Sequence, residues 1–202
     1  MTRAGSHRRG TAPPSGAVSV WRLRDHTLEW SRRPAVMGIL NLTPDSFYDA
    51  SRTALGEVAD RARAMVDAGA EILDLGAEST RPGSAPIDGD EERARLLPGL
   101  DAVRAAVSVP LTVDTTRAET ARLALAAGAD GVNDVTGGRR EPEIFGICAE
   151  AEAGLVLMHM LGEPRTMQED PRYDDVVNDV ARHLDERGAA AVAAGLASDR
   201  VL

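Results

Sequence analysis

Three segments of this chain read as variations on one pattern: AGAEILDLG at 68–76, AGADGVNDV at 127–135 and EAGLVLMHM at 152–160. Each passes from a small-residue turn into a short apolar run. The stretch before the first of them has helical periodicity, with Val58, Ala62, Met65, Val66 and Gly69 on one face, and the helix should stop at Gly69, where a left-handed residue is wanted. The strands read from this pattern are 36–42, 71–76, 111–114, 131–135 and 154–160. Runs that are apolar on both faces and alternate with helices demand a parallel sheet covered by helices. Two architectures satisfy that demand, a (β/α)8 barrel and an open doubly wound sheet.

The polar residues separate the two. Asn41, the Glu78-Ser79-Thr80-Arg81 group, Asp114, Asn133 with Asp134, and His159 each lie at or just past the carboxyl end of a strand. In a barrel those ends converge on one mouth, where sites are built from several strands. An open sheet would gather its site at one switch point, commonly behind a Gly-rich phosphate turn, and no GxGxxG or P-loop pattern follows 36–42. The α/β reading is therefore a (β/α)8 TIM barrel.

About five βα units are complete by Gly195, and SDRVL at 198–202 opens a sixth strand, whereas a barrel of this type takes ~250 residues. The expectation is an incomplete barrel, with a complete 202-residue open domain as the alternative. Ahead of it, residues 17–33 alternate apolar and polar side chains on both sides of Asp25-His26, the pattern of a β-hairpin that caps something. Residues 1–16, rich in Gly, Ser, Pro and Arg, read as a disordered leader, which leaves 17–202 as the folded domain.

Charge narrows the partners. The net charge is −9, and residues 1–33 hold seven Arg against Asp25 and Glu29, a local +5 that leaves −14 on the rest. A surface of that sign does not suit nucleic acid. No apolar run approaches the ~20 residues of a membrane span, and the N-terminal stretch lacks the apolar core of a signal peptide. A lone cysteine, Cys148, in an apolar-periodic segment implies core packing and a reduced, cytoplasmic compartment.

Each polar strand-end residue also has a plain structural reading. Asn41 suits a turn, Asp114 could cap the helix beginning near Arg117, Asn133 and Asp134 could tie down their own loop, and His159 between Met158 and Met160 reads as core packing. Together they offer more. Asn41, Asp114 and Asn133 put one carboxylate and two carboxamides at a common mouth, a set suited to a flat heterocycle with donors and acceptors along its edge. No Cys or His cluster suggests zinc. Thr80, Arg81 and Pro82 add a hydroxyl and a cation suited to phosphate oxygens, and a neutral Asn suits Mg²⁺, which keeps its waters and takes other ligands from phosphate.

The segments MGILNLTPDSF, GAESTRPG, TVDT, GVNDVTGG and MHMLGEPRTMQ stand in the order and register of the dihydropteroate synthases, and the chain resembles that family over about residues 18–202. The resemblance implies a barrel that joins p-aminobenzoate to the pyrophosphate ester of 6-hydroxymethyl-7,8-dihydropterin, with Mg²⁺, in folate biosynthesis. It implies a sulfonamide target and a common homodimer. Its reaction breaks the C–O bond to pyrophosphate well before the weakly nucleophilic amine attacks, so rate comes from stabilising the leaving anion and positioning the amine. By motif, Asn41 matches the residue that holds Mg²⁺ and pyrophosphate, Thr80 contacts pyrophosphate, and Asp114 and Asn133 contact the pterin edge. Phe47 and Pro82, with Thr80, match the aminobenzoate pocket, and Asp49 and Arg81 match polar residues of the same two loops.

The chain departs from the family in places. Its first loop reads SFYDAS where the family usually has SFSDGG. The family's DPG-FGK aspartate, its pterin-contacting lysine and its Arg-x-His pyrophosphate site would fall past Leu202, and this chain contains no lysine. The resemblance thus implies that these 202 residues alone lack synthase activity. It leaves two alternatives: an inactive fragment or degenerate paralogue with at most weak pterin binding, and a pterin-binding methyltransferase.

Overall fold

In a computed structural model, residues 19–31, 33–42, 52–78, 87–162, 167 and 170–202 are described. The chain opens with the expected hairpin, β1 (Ser19–Leu23) pairing antiparallel with β2 (His26–Trp30) around Arg24-Asp25. Alternating units follow: β3 (Met37–Asn41), α1 (Arg52–Asp67), β4 (Ile72–Gly76), α2 (Gly89–Ala106), β5 (Leu111–Asp114), α3 (Ala118–Ala126), β6 (Gly131–Asp134), α4 (Glu143–Glu150), β7 (Gly154–Leu157) and α5 (Val176–Ala193).

The five strands β3 to β7 are all parallel and lie side by side in chain order. That order decides the architecture. A doubly wound sheet reverses its strand order at the switch point and covers both faces with helices; a sheet that never reverses, joined by right-handed crossovers, puts every helix on one face, as a barrel does. Leu40, Leu73, Leu75, Val113, Val132 and Leu155 accordingly pack toward the helices, in one buried cluster with Val58, Ala62, Leu96, Leu100, Ala121 and Ile144. The sixth strand is also begun, since Val201 bridges Leu155 in parallel and Leu202 exchanges backbone hydrogen bonds with Leu155 and Leu157 at 2.8 and 2.9 Å. Among the described residues the sheet does not close: β3 pairs only with β4, and its inward-facing Ile39 is 59% exposed.

The opposite face of the sheet is filled at one end and polar at the other. At the amino ends of the strands, Trp21 and Leu23 of the hairpin are buried with Ile72, against Leu28, Trp30, Met37 and Val156. Trp21 donates its indole N–H to the Arg200 carbonyl at 2.9 Å. Gly131 and Gly154 face one another in register there, and a Cβ on Gly154 would lie 2.7 Å from Leu23 Cγ. Gly154 makes the room that Leu23 and Trp21 occupy, while Gly131 permits the close approach of the Gly154 backbone, whose carbonyl oxygen would lie 2.8 Å from a Cβ there. The hairpin is the plug of the barrel floor.

The repeated turns share one design. After α1, α3, α4 and α5 the residue past the left-handed position donates its N–H five residues back: Ala70 to Met65, Ala129 to Ala124, Ala153 to Cys148 and Leu196 to Ala191, all at 2.9–3.1 Å. Three of the four left-handed positions are glycines, Gly69, Gly128 and Gly195, while the fourth is Glu152 at φ 51°. A side chain there is strained by the close following carbonyl. Glu152→Gly is therefore expected to stabilise the fold by about 0.5–1 kcal/mol, read as an upward shift of the urea midpoint at unchanged m-value. A lower midpoint would show that the Glu152 side chain, 3.6 Å from Arg200 Nη2, matters more than the strain.

Candidate active site

Pairing register builds the site. Asn41 pairs with Gly76, Gly76 with Asp114, Asp114 with Asn133, and Asn133 with Val156, so a single row crosses all five strands near their carboxyl ends. Strand alternation turns that row to the face opposite the helices. Asn41, Asp114 and Asn133 thus share the mouth. Gly76 is the gap between the first two: a Cβ there would lie 3.7 Å from Asp114 Oδ2 and 3.8 Å from Asn41 Oδ1. Its lack of a side chain leaves room for a ligand between the carboxamide and the carboxylate.

The plain structural readings divide: Asp134 does tie down its own loop, whereas Asp114 does not cap the helix that follows it. Helix α3 is capped by other groups: Thr115 Oγ1 accepts from the Arg117 N–H at 3.2 Å and Glu141 Oε2 from the Ala118 N–H at 2.7 Å, leaving Asp114 free to face the mouth. In the 131–138 segment the loop is tied by Asp134, which is fully buried and accepts from the Thr136 N–H and hydroxyl at 2.8 and 2.7 Å and from the Gly138 N–H at 2.7 Å. Asn133, one residue earlier, points the other way. His159 is half-buried, with its ring 4.9 Å from that of His183 and 5.7 Å from that of Tyr173. Its role there is packing, outside the fully buried core. The buried Cys148 thiol has its pKa pushed up to about 12 by burial and the Asp134 charge, and is inert.

Two buried carboxylates belong to the site that the sequence reading missed. Asp74 stands inside the apolar strand ILDLG, 3% exposed, with Oδ1 accepting from Thr112 Oγ1 at 2.6 Å and Oδ2 from Asn133 Nδ2 at 3.0 Å. The signal was present, since a carboxylate amid apolar strand residues stays buried only if donors satisfy it. Glu92, 1% exposed, accepts from Thr115 and Thr120 hydroxyls at 2.8 and 2.6 Å and faces Arg117 Nη1 at 3.3 Å. Arg117 also reaches Glu78 Oε2 at 2.8 Å and the Ile87 carbonyl at 2.6 Å, pinning both residues that flank 79–86. These partners lie 25 to 39 positions before it in the chain, so the local stretch TTRAET gives no sign of them.

These charges set the acidity of the mouth. Asp114 is pushed up to about 7, first by burial and then by Asp74, Glu92, Asp134 and Glu78. Burial likewise raises Asp74, against the pull of its two donors. A carboxylate so crowded gains most from a ligand that brings N–H donors to it. Of the remaining sequence candidates, Phe47, Asp49, Thr80, Arg81 and Pro82 lie outside the described residues, as does the leader at 1–16.

A partial parallel barrel whose strand ends present an acid and two amides in one row has the build of an enzyme that grips a polar heterocycle by its edge. The family model described as pterin binding enzyme matches residues 37–202. The chain belongs to the pterin binding enzymes. It is 45% identical over 153 residues to a dihydropteroate synthase of Synechocystis sp., an alignment covering 75% of this chain and 53% of the relative. Among solved structures it matches a Burkholderia cenocepacia dihydropteroate synthase complexed with 7,8-dihydropteroate (42% identity, TM-score 0.79), covering 92% of this chain and 62% of that one. A Xanthomonas albilineans dihydropteroate synthase with 4-aminobenzoic acid matches at 39% identity and TM-score 0.78, over 91% and 65% of the two chains. The chain thus spans about half to two thirds of the length of these relatives. Among the described residues no helix is long and apolar enough to cross a membrane.

Proposed function

We propose that the protein is a dihydropteroate synthase, joining p-aminobenzoate to 6-hydroxymethyl-7,8-dihydropterin pyrophosphate with release of pyrophosphate in folate biosynthesis. The observation that carries the reading is the inward row of Asp114 and Asn133, flanked by the gap at Gly76. Asp114 accepts N–H groups of the pterin ring and Asn133 holds the adjoining edge. The relatives' names support the same chemistry. Thr80, Arg81, Phe47, Pro82 and Asp49 serve the pyrophosphate and the aminobenzoate pocket by their match to the family motifs, so sulfonamides compete with the amine.

Mg²⁺ fits what the mouth offers. Asn41 brings one neutral carbonyl oxygen to the edge of the Gly76 gap, and no group of three acidic, His or Cys side chains among the described residues forms a protein cage. That suits a cation that keeps waters and takes phosphate oxygens. Asn41 would hold it, and when bound it neutralises charge on the departing pyrophosphate. The protein works in the cytoplasm as a homodimer on small-molecule substrates.

Equilibrium dialysis with the pterin pyrophosphate, with and without Mg²⁺, tests the proposal. Saturable binding strengthened by Mg²⁺ and not displaced by methyltetrahydrofolate is expected. Displacement would favour a pterin-binding methyltransferase, and absence of binding with or without the metal would overturn the reading.

A further inference from the structure

The Asn133 carboxamide has two faces of nearly equal shape, one donating and one accepting, and its usefulness at the mouth depends on which is turned outward. Its neighbour settles this. Asp74 sits one layer deeper on β4, and in its charged form, which the Thr112 and Asn133 donors favour, its carboxylate can only accept. Oδ1 already takes the Thr112 hydroxyl proton at 2.6 Å, and Oδ2 takes the Asn133 Nδ2 proton at 3.0 Å. Turning the amide over would set two acceptor oxygens against each other in a site that is 3% exposed on the Asp74 side, an arrangement burial does not tolerate.

We propose, resting on the reading that this mouth takes a pterin, that Asp74 is a positioning residue: it locks Asn133 with Nδ2 inward and leaves Oδ1 to accept from the heterocycle beside the Asp114 carboxylate. The row then offers two adjacent acceptors, selective for a ring edge rich in N–H donors. Thr112 is part of the device because it spends its only proton on Asp74 and fixes the plane of that carboxylate. The Asp74 charge also acts on Asp114, whose other charged neighbours are Glu78 after β4, Glu92 on α2 and Asp134 on β6, with Arg117 paired to Glu78 and Glu92.

Asp74→Asn keeps the volume, but its amide can donate to or accept from Asn133, so either orientation becomes available. Calorimetry with the pterin pyrophosphate from about pH 5.5 to about pH 8.5 is expected to show affinity weakened about tenfold, with the pH midpoint for binding moved lower because Asp114 has lost a negative neighbour. A residue that merely supported the fold would not move that midpoint. Amide NMR reads the orientation without ligand: in the wild type the Asn133 side-chain resonance, assigned by its loss in Asn133→Ala, should show one shifted, slowly exchanging proton that Asp74→Asn abolishes. Unchanged affinity and midpoint in Asp74→Asn, or an unchanged amide resonance, overturns the proposal. A wild-type chain that binds no pterin overturns the functional reading instead, and the amide resonance still decides whether Asp74 orients Asn133.

Discussion

Asp114→Asn is expected to make the unliganded chain more stable at alkaline pH and to destroy its pterin binding in the same stroke. The carboxyl of Asp114 is raised from 3.8 to about 7 in the fold. Between those values the native state binds more protons than the unfolded chain, so stability falls as pH rises. The contribution of the protonated carboxyl is whole below about pH 4 and is lost as pH climbs through about 7. An asparagine has no proton to lose. Allowing for the partial exposure of Asp114, the variant should exceed the wild type by about 1–3 kcal/mol at pH 8 and differ little near pH 4, in urea unfolding at both values. The same change turns an acceptor oxygen into a donor amide where the ligand brings N–H groups. Equal stability at both pH values would mean that the mouth does not crowd Asp114.

Arg117→Met has the largest expected cost to the fold. Its guanidinium, on a residue 8% exposed, holds Glu78, Glu92 and the Ile87 carbonyl together. Removing the cation leaves Glu92, 1% exposed, as a buried anion whose hydrogen-bond partners among the described residues are two hydroxyls. Deleting one partner of such a buried pair costs about 3–5 kcal/mol, visible as a lower urea midpoint. Because the penalty comes from the stranded charge, adding Glu92→Gln should recover a large part of it, with Thr115 and Thr120 still donating to the new carbonyl. A double variant no more stable than Arg117→Met would assign the cost to packing or to Ile87.

Much of this architecture is legible in the sequence, and the reasons are local. Strands and return turns announce themselves because the two-sided apolar run and the left-handed turn residue are properties of consecutive positions, as at Gly69 and Gly128. The hairpin and the opening sixth strand are legible for the same reason. The row of Asn41, Asp114 and Asn133 follows from placing strand ends in one mouth, and parallel pairing puts them in line. What stayed hidden depends on partners far along the chain. Asp74 finds Thr112 and Asn133 across two strands, 38 and 59 positions away. Glu92 lies in a run of charged residues, GDEER, that reads as a solvated helix face until α3 covers it. Asn133 and Asp134, adjacent and alike in the sequence, take opposite duties because strand alternation turns one to the mouth and the other to its own loop.

The central claim is that this row reads the edge of a pterin, and calorimetric titration of the wild type and Asn133→Ala with 6-hydroxymethyl-7,8-dihydropterin pyrophosphate and Mg²⁺ tests it most directly. One site is expected in the wild type, weakened about 5- to 150-fold in the variant, the loss of about 1–3 kcal/mol that follows when buried ligand groups lose their partner. Equal affinity in the two proteins would contradict it.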